Sequence, residues 1–241
     1  MPEPNEQLLA VLIDADNVSP KPIKEMLEEI ANYGNPIYKR IYGDWSSMHL
    51  KGWRDVLNEH AIIPVQQFAY TTGKNSTDSA LIIDAMDLLH GGKVDGFVLI
   101  SSDSDFTKLA TRLREGRKKV YGMGERKTPV SFRNACDKFV FVEVLSPAAT
   151  KSAASKSGGQ PMHKPDAELE RLVKLTLQDL TDDSGWLAMG GLGSGLMKKM
   201  PEFDPRNYGY KRLSDLVRSL PYVIVDTREM SGNKHDYVRL K

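Results

Sequence analysis

The stretch VLIDADNVSP, residues 11–20, runs three apolar residues into Asp14 and Asp16 and then Asn17. Carboxylates two apart on an extended strand leave it on the same side. The pattern returns where FVLIS, residues 97–101, is followed by Asp103 and Asp105, and Asp78 opens a helical pattern between the two. If parallel strands bring these segments to one edge, four or five carboxylates converge. Without a cation they raise one another's pKa values or repel. A hard divalent ion resolves the conflict: Mg²⁺ or Mn²⁺ takes oxygen ligands, keeps several waters and polarises a phosphate oxygen. No histidine or cysteine stands beside these aspartates, which argues against zinc. Asn17 offers a neutral amide able to hold a water or a phosphate. Each aspartate alone also fits a turn or a helix cap. Their joint occurrence at strand ends and a helix start favours a shared site.

The elements that must position them alternate. Leu8 to Ile13 reads as a buried strand, and Ile23, Met26, Leu27 and Ile30 repeat at helical spacing. PIYKRIYGDW and AIIPVQQF are further strands, with a short helix around Trp53 to Leu57 between them. STDSALIIDAMDLLH is a helix opened by capping residues. VDGFVLISSDSDF is a strand running into the helix FTKLATRLREG. The strand KKVYGMG, the helix PVSFRNACDKF and the strand VFVEVL end the series. This alternation predicts an α/β fold: a mostly parallel sheet with helices on both faces. Ligands of such sheets bind at the carboxyl ends of the strands, where these aspartates lie.

Composition changes at residues 146–165, SPAATKSAASKSGGQPMHKP, a small, polar stretch that reads as a flexible linker over 147–165. It separates a first domain, 1–146, from a second, 166–241. In the second, Leu169, Leu172, Val173 and Leu180 mark a helix, and two more helices and two strands around SGNK describe a small winged-helix module. At 241 residues two domains are expected. The one cysteine, Cys136, cannot form an internal disulfide, and no apolar run is long enough to span a membrane. MPEPNEQ lacks a basic region and an apolar signal core, so a reducing, cytoplasmic setting is expected. The net charge of +1 selects no partner.

LIDADN, GKNSTDSALIIDAMDLL and LISSDSDFTKLATRLREGRKKVYGMG, in this order, resemble the signatures of the NYN domain, a branch of the PIN-like ribonucleases, and specifically its LabA-like group. The resemblance spans about residues 6–146. The segment 166–241, with FDPRNYGYKRLSDLVRSLP, is similar to an OST-HTH (LOTUS) domain, a winged-helix module associated with RNA. The resemblance implies a PIN-like fold and a metal-dependent ribonuclease. It makes Asp14, Asp78, Asp103 and Asp105 the acidic ligands of Mg²⁺ or Mn²⁺, with Asn17 beside them and Asp16 in a less defined role. Asp84, six residues after Asp78, is rotated off its face and reads as a supporting residue.

The partner expected is RNA, with no membrane; a protein partner or a homodimer through either domain stays open. Lys74, before the Asp78 helix, and Lys108 are the cations nearest the aspartates and are expected to meet phosphate. Tyr42, Trp45 and Tyr70 stand near strand ends and could stack bases. In the second domain Arg206, Tyr208, Tyr210, Lys211 and Arg212 mix cations with aromatics, and Arg228, Lys234, His235 and Arg239 decorate the hairpin, which suits RNA contact. Two alternatives remain: an RNA-binding regulatory protein with little catalysis, and a phosphatase of the haloacid-dehalogenase type built on DADNV. The phosphatase pattern leaves Asp78 and the winged module unexplained.

Overall fold

The computed structural model describes residues 6–68, 76–145, 166–181, 185–230 and 233–241. The chain forms two compact units, Met1–Ser146 and Pro147–Lys241. The expected linker, Tyr70 and Lys74 lie outside the described residues.

In the first unit six strands form one sheet: β1 (Leu8–Asp14), β2 (Asn35–Gly43), β3 (Ile63–Gln66), β4 (Gly96–Ile100), β5 (Lys119–Gly124) and β6 (Lys138–Phe141). Their order is β3-β2-β1-β4-β5-β6, and every pairing is parallel. Leu9 to Ile13 and Gly96 to Ile100 are buried without alternation, because both faces of the central strands are covered. The sheet is flanked by α1 (Ile23–Ala31), α2 (Lys51–Leu57), α3 (Ser76–Gly91), α4 (Thr107–Glu115) and α5 (Val130–Ala135). The chain builds β1, β2 and β3 outward in one direction. It then returns through α3, which packs on β1 and β2, to place β4 on the other side of β1. The strand order therefore reverses between β1 and β4, the point where open α/β sheets leave a crevice.

Apolar burial fixes this frame. Phe106, Phe132, Phe139 and Phe141 form a chain of ring contacts with centroids 6.4, 5.9 and 5.5 Å apart. Trp53 is buried and donates its indole N–H to the Val18 carbonyl at 3.2 Å. One strand differs from the expectation. VFVEVL was to be extended throughout, yet β6 stops at Phe141 and Val142–Val144 form a 3₁₀ turn. Phe141 pairs with Gly124, the last residue of β5, so no ladder remains to hold the chain extended. Glu143 instead accepts the Arg126 backbone N–H at 2.9 Å.

The second unit contains α6 (Ala167–Leu180), β7 (Leu187–Ala188), α7 (Met189–Lys199), α8 (Leu213–Arg218), β8 (Val223–Met230) and β9 (Asn233–Leu240). The strands form an antiparallel sheet in the order β7-β9-β8. Three helices and a hairpin match the winged-helix expectation; the two residues of the hairpin turn, 231 and 232, lie outside the described residues. The two-residue β7 had no sequence signal of its own. Asp166 caps α6 by accepting the Leu169 N–H at 2.9 Å. Of the glycines of GGLGSGL on α7, Gly195 is the one that lies close against α6. A Cβ on Gly195 would stand 2.6 Å from side-chain atoms of both Thr176 and Leu180. Leu169, Val173, Leu177, Leu192, Leu196, Phe203 and Val238 form the centre of this unit's core.

Candidate metal centre at the sheet edge

Asp14 is the last residue of β1, and its side chain is fully buried. The extended-strand expectation for Asp14 and Asp16 is corrected here, because the chain turns directly after Asp14. The Asp16 backbone N–H folds back onto Asp14 Oδ1 at 3.2 Å, and Asp16 itself is exposed. Asp14 Oδ2 accepts two further hydrogen bonds, from Asn17 Nδ2 at 2.8 Å and from Ser101 Oγ at 2.7 Å. Burial pushes the Asp14 pKa up, and the donors from Ser101, Asn17 and Asp16 oppose it without cancelling it. The amide donor of Asn17 is thus used on Asp14.

Pairing of Ile13 with Ile100 places the end of β4 beside the end of β1. Ser101 follows β4 and joins the two ends: it donates to Asp14 and accepts the Asp103 backbone N–H at 3.1 Å. Asp103 then caps the 3₁₀ turn Ser104–Phe106 that leads into α4, accepting the Asp105 N–H at 2.9 Å. Asp78 approaches from the first turn of α3. One oxygen from each of Asp78, Asp103 and Asp105 lies within 4.8 Å of the other two, with Asp78 and Asp103 partly buried and Asp105 exposed. The Asp78 pKa is pushed up to about 6, first by burial and then by Asp14, Asp103, Asp105 and Asp16. The structure therefore brings Asp78, Asp103 and Asp105 together in front, with Asp14 buried behind them. Asp16 acts on Asp78 through its charge.

This donor set fits a hard divalent cation. It is all carboxylate oxygen, holds no nitrogen or sulfur ligand, and is destabilised by its own repulsion until positive charge arrives. Asp84 stands apart from it. It pairs with Arg40 and accepts the Tyr42 hydroxyl, tying α3 to β2. Tyr42 is fully buried, so its ring cannot stack on a base as anticipated. Trp45 donates its indole N–H to the Val65 carbonyl at 3.0 Å. Lys108 is exposed on the first turn of α4, three residues beyond Asp105. Ser101 is the site residue that sequence reasoning missed. Its one signal was a hydroxyl at a strand end immediately before the acidic run.

In the second unit the expected contacts divide. Tyr208 is buried in the core against Phe203, with centroids 6.1 Å apart, and burial pushes its hydroxyl up to about 12. The expectation that it stacks on RNA is corrected: its ring is enclosed by protein. Arg206 is held on Asp204, with Nη2 2.6 Å from Oδ2. Tyr210 is half-buried against the core, whereas Lys211 and Arg212 are exposed ahead of α8. On the hairpin, Arg228 bonds Asp226 at 2.9 Å and lies over Trp186 and Tyr237, and Arg239 also lies over Trp186.

Comparison with known families agrees with this architecture. The NYN domain model matches residues 8–144, more than half of the chain, and the OST-HTH/LOTUS domain model matches residues 161–235. The chain belongs to the NYN domain family and carries an OST-HTH/LOTUS domain after it. No curated protein matches it. Among solved structures it is similar to a protein of unknown function from Vibrio parahaemolyticus, with 20% identity over 58% of this chain and 96% of that one, at a TM-score of 0.48. It is also similar to an uncharacterized protein from Nitrosomonas europaea, with 34% identity over 36% of this chain and 83% of that one, at a TM-score of 0.31. A fragment of a protein from Chromobacterium violaceum shares 35% identity over 32% of this chain and 85% of that one, at a TM-score of 0.27. The family assignment displaces the phosphatase alternative. Among the described residues no helix is long and apolar enough to cross a membrane.

Proposed function

We propose that this chain is a metal-dependent ribonuclease that hydrolyses RNA phosphodiester bonds, with residues 1–146 as the nuclease, 147–165 as a linker and 166–241 as the RNA-holding module. The observation that carries the reading is the set of three carboxylates, drawn from α3 and the end of β4, at the strand-order reversal of an NYN-family sheet. Asp78, Asp103 and Asp105 would hold Mg²⁺ or Mn²⁺, with Asp14 adding its charge from behind. When bound, such a cation would supply Lewis-acid polarisation of a phosphodiester oxygen and neutralise charge developing at phosphorus. The chain's own residues do the positioning. Ser101 ties the Asp14 carboxylate to the backbone of Asp103, Asn17 donates to the same oxygen, Oδ2, and the Asp16 N–H holds the other. Arg40 and Tyr42 hold Asp84, which sets the α3 helix that carries Asp78. Lys108 is exposed three residues beyond Asp105, and its ammonium would suit an RNA phosphate.

The test pairs two readouts on Asp103→Asn, which keeps side-chain size and removes a charge. Cleavage of end-labelled single-stranded RNA in Mn²⁺ should fall by more than the roughly 10–100-fold that follows loss of a residue merely supporting metal ligands. The rise in unfolding temperature that Mn²⁺ gives the wild type should vanish as well. Wild-type cleavage in the variant would refute the site. Retention of RNA by a wild-type chain that cleaves nothing at any metal concentration would instead make the protein an RNA-binding regulator.

A further inference from the structure

The carboxylates occupy the edge where β1 and β4 end. At the opposite edge, where β5 and β6 begin, the chain forms an open pocket of about 500 Å³. Arg114 and Glu115 line it from the last turn of α4, Arg117, Lys118 and Lys119 from the connection to β5, and Asp137 from the residue before β6. Four cations and two carboxylates thus line it. The Lys118 ammonium is taken up by the Val94 carbonyl at 2.6 Å, and Arg114 reaches the Ala135 carbonyl at 3.4 Å. Neither carboxylate holds the remaining charge closely. The Asp137 oxygens lie 3.6 Å from Arg114 Nε and from Lys119 Nζ, beyond good hydrogen-bond reach, while Oδ2 accepts the Val120 backbone N–H at 2.9 Å. Glu115 lies 3.6 Å from Arg112, which is not part of the cavity.

Arg117 is the informative residue. Its φ is +60°, a left-handed conformation that costs an L residue with a Cβ, while Gly116 next to it, with no such cost, sits at φ −72°. The conformation closes the end of α4: the Arg117 N–H donates to the Arg114 carbonyl at 2.8 Å and the Lys118 N–H to the Leu113 carbonyl at 3.1 Å. Glycine would make the same turn without strain. The chain instead spends backbone energy to put a guanidinium on the cavity wall. Arg117 is exposed, and among the described residues its guanidinium makes no ion pair. The helix dipole does not explain the cluster. It accounts for Arg112 and Arg114 in the last turn but fades beyond it, where Arg117, Lys118 and Lys119 lie.

We propose that this cavity is a phosphate-binding site, separate from the acidic centre. The guanidinium fork of Arg117 suits two phosphate oxygens, and the Lys119 and Arg114 head groups add charge around them. Its size lies in the range of about 300–1,000 Å³ usual for small-ligand sites. Strands of five and six residues at roughly 3.3 Å each separate the two edges by about 16–20 Å, so a single phosphate group cannot reach both. The phosphate belongs either to a free ligand carrying linked phosphates or to the backbone of a bound RNA strand.

Arg117→Gly tests this without disturbing the fold, since glycine adopts the left-handed backbone freely and the variant should unfold at the same or a higher temperature. Lys119→Ala, at an exposed position, is the second variant. Titration of the full-length chain with inorganic pyrophosphate, and separately with a short single-stranded RNA, is followed in EDTA so that the carboxylate centre takes no part. Each variant should bind at least one probe about tenfold or more weakly, the loss expected for one charge-assisted contact. Weakening of pyrophosphate assigns a free phosphate ligand. Weakening of RNA alone assigns its backbone. Because the titrations are made in EDTA and read binding alone, the result is independent of whether the chain cleaves RNA. Failure of the wild type to bind either probe, or wild-type affinities in both folded variants, overturns the proposal.

Discussion

The crowding of carboxylates at the sheet edge has a thermodynamic signature that needs no substrate to be seen. Burial and four neighbouring carboxylates all raise the Asp78 pKa, from 3.8 to about 6. A shift of about two pH units corresponds to roughly 3 kcal/mol, and because the group is about half exposed, screening by solvent reduces this to about 1 kcal/mol. The folded-state pKa lies above the unfolded one, so the protonated form is favoured in the native state. The associated stability is fully present below pH 4 and is lost as the pH rises through 6. Asp78→Asn, which cannot ionise, should therefore match the wild type near pH 4 and exceed it by about 1 kcal/mol at pH 8, or about 2–4 °C in unfolding temperature. Thermal unfolding of both proteins in EDTA across pH 4–8 measures the difference, and subtraction cancels the titration of all other groups. Added Mn²⁺ should reverse the order, since the wild type alone gains from binding. An Asp78→Asn variant equal to or less stable than the wild type at pH 8 without metal would refute the claim that these charges repel.

Ser101→Ala should cost about 1–3 kcal/mol in urea unfolding, because it removes a donor from buried Asp14 and the acceptor of the Asp103 N–H together. In the second unit, Gly195→Ala should destabilise the chain by about 1–3 kcal/mol, since its Cβ meets Thr176 and Leu180 at 2.6 Å; Gly190→Ala, with nothing within 4 Å, should stabilise by about 0.5–1 kcal/mol. Full-length chain in EDTA should show an RNA affinity that falls with salt, and Lys211→Ala with Arg212→Ala should make the log–log slope shallower by up to about 0.7 per lost phosphate contact. An unchanged slope would remove both residues from the RNA surface.

What the sequence made legible, and what it hid, follows from the range of the forces involved. Strand and helix alternation is written in local periodicity, so the parallel sheet and the edge carrying Asp14, Asp78, Asp103 and Asp105 could be read directly. The division between buried Asp14 and the exposed front could not. It depends on a turn at Ala15 and on a hydroxyl 87 residues away, and both belong to the tertiary pairing of β1 with β4. Tyr208 misled for a similar reason. A tyrosine among cations looks like a stacking platform in one dimension, and only the packing of Phe203 against it reveals a core residue. Arg206 and Arg228 looked available for phosphate because the sequence does not say whether an aspartate two residues away turns toward them. The end of β6 was misplaced because extension needs a neighbour, and β5 runs out at Gly124.

The same reasoning explains why negative charge collects at this one edge. Crossovers leave β1 and β4 in opposite directions, so the crevice between their ends is not filled by a connection and is available to short polar side chains. Asp14 is tolerable at full burial because three donors from its own turn and from Ser101 surround it. Those donors converge on the inner carboxylate. The outer three lie within 5 Å of one another, with backbone capping at Asp103, and the neighbouring charges raise the Asp78 pKa. A fold that satisfies its buried charge and leaves its half-exposed charge in conflict has divided structural work from binding work. The conflict is confined to where a cation could enter from solvent, the arrangement that the proposed metal-assisted cleavage of a phosphodiester would use.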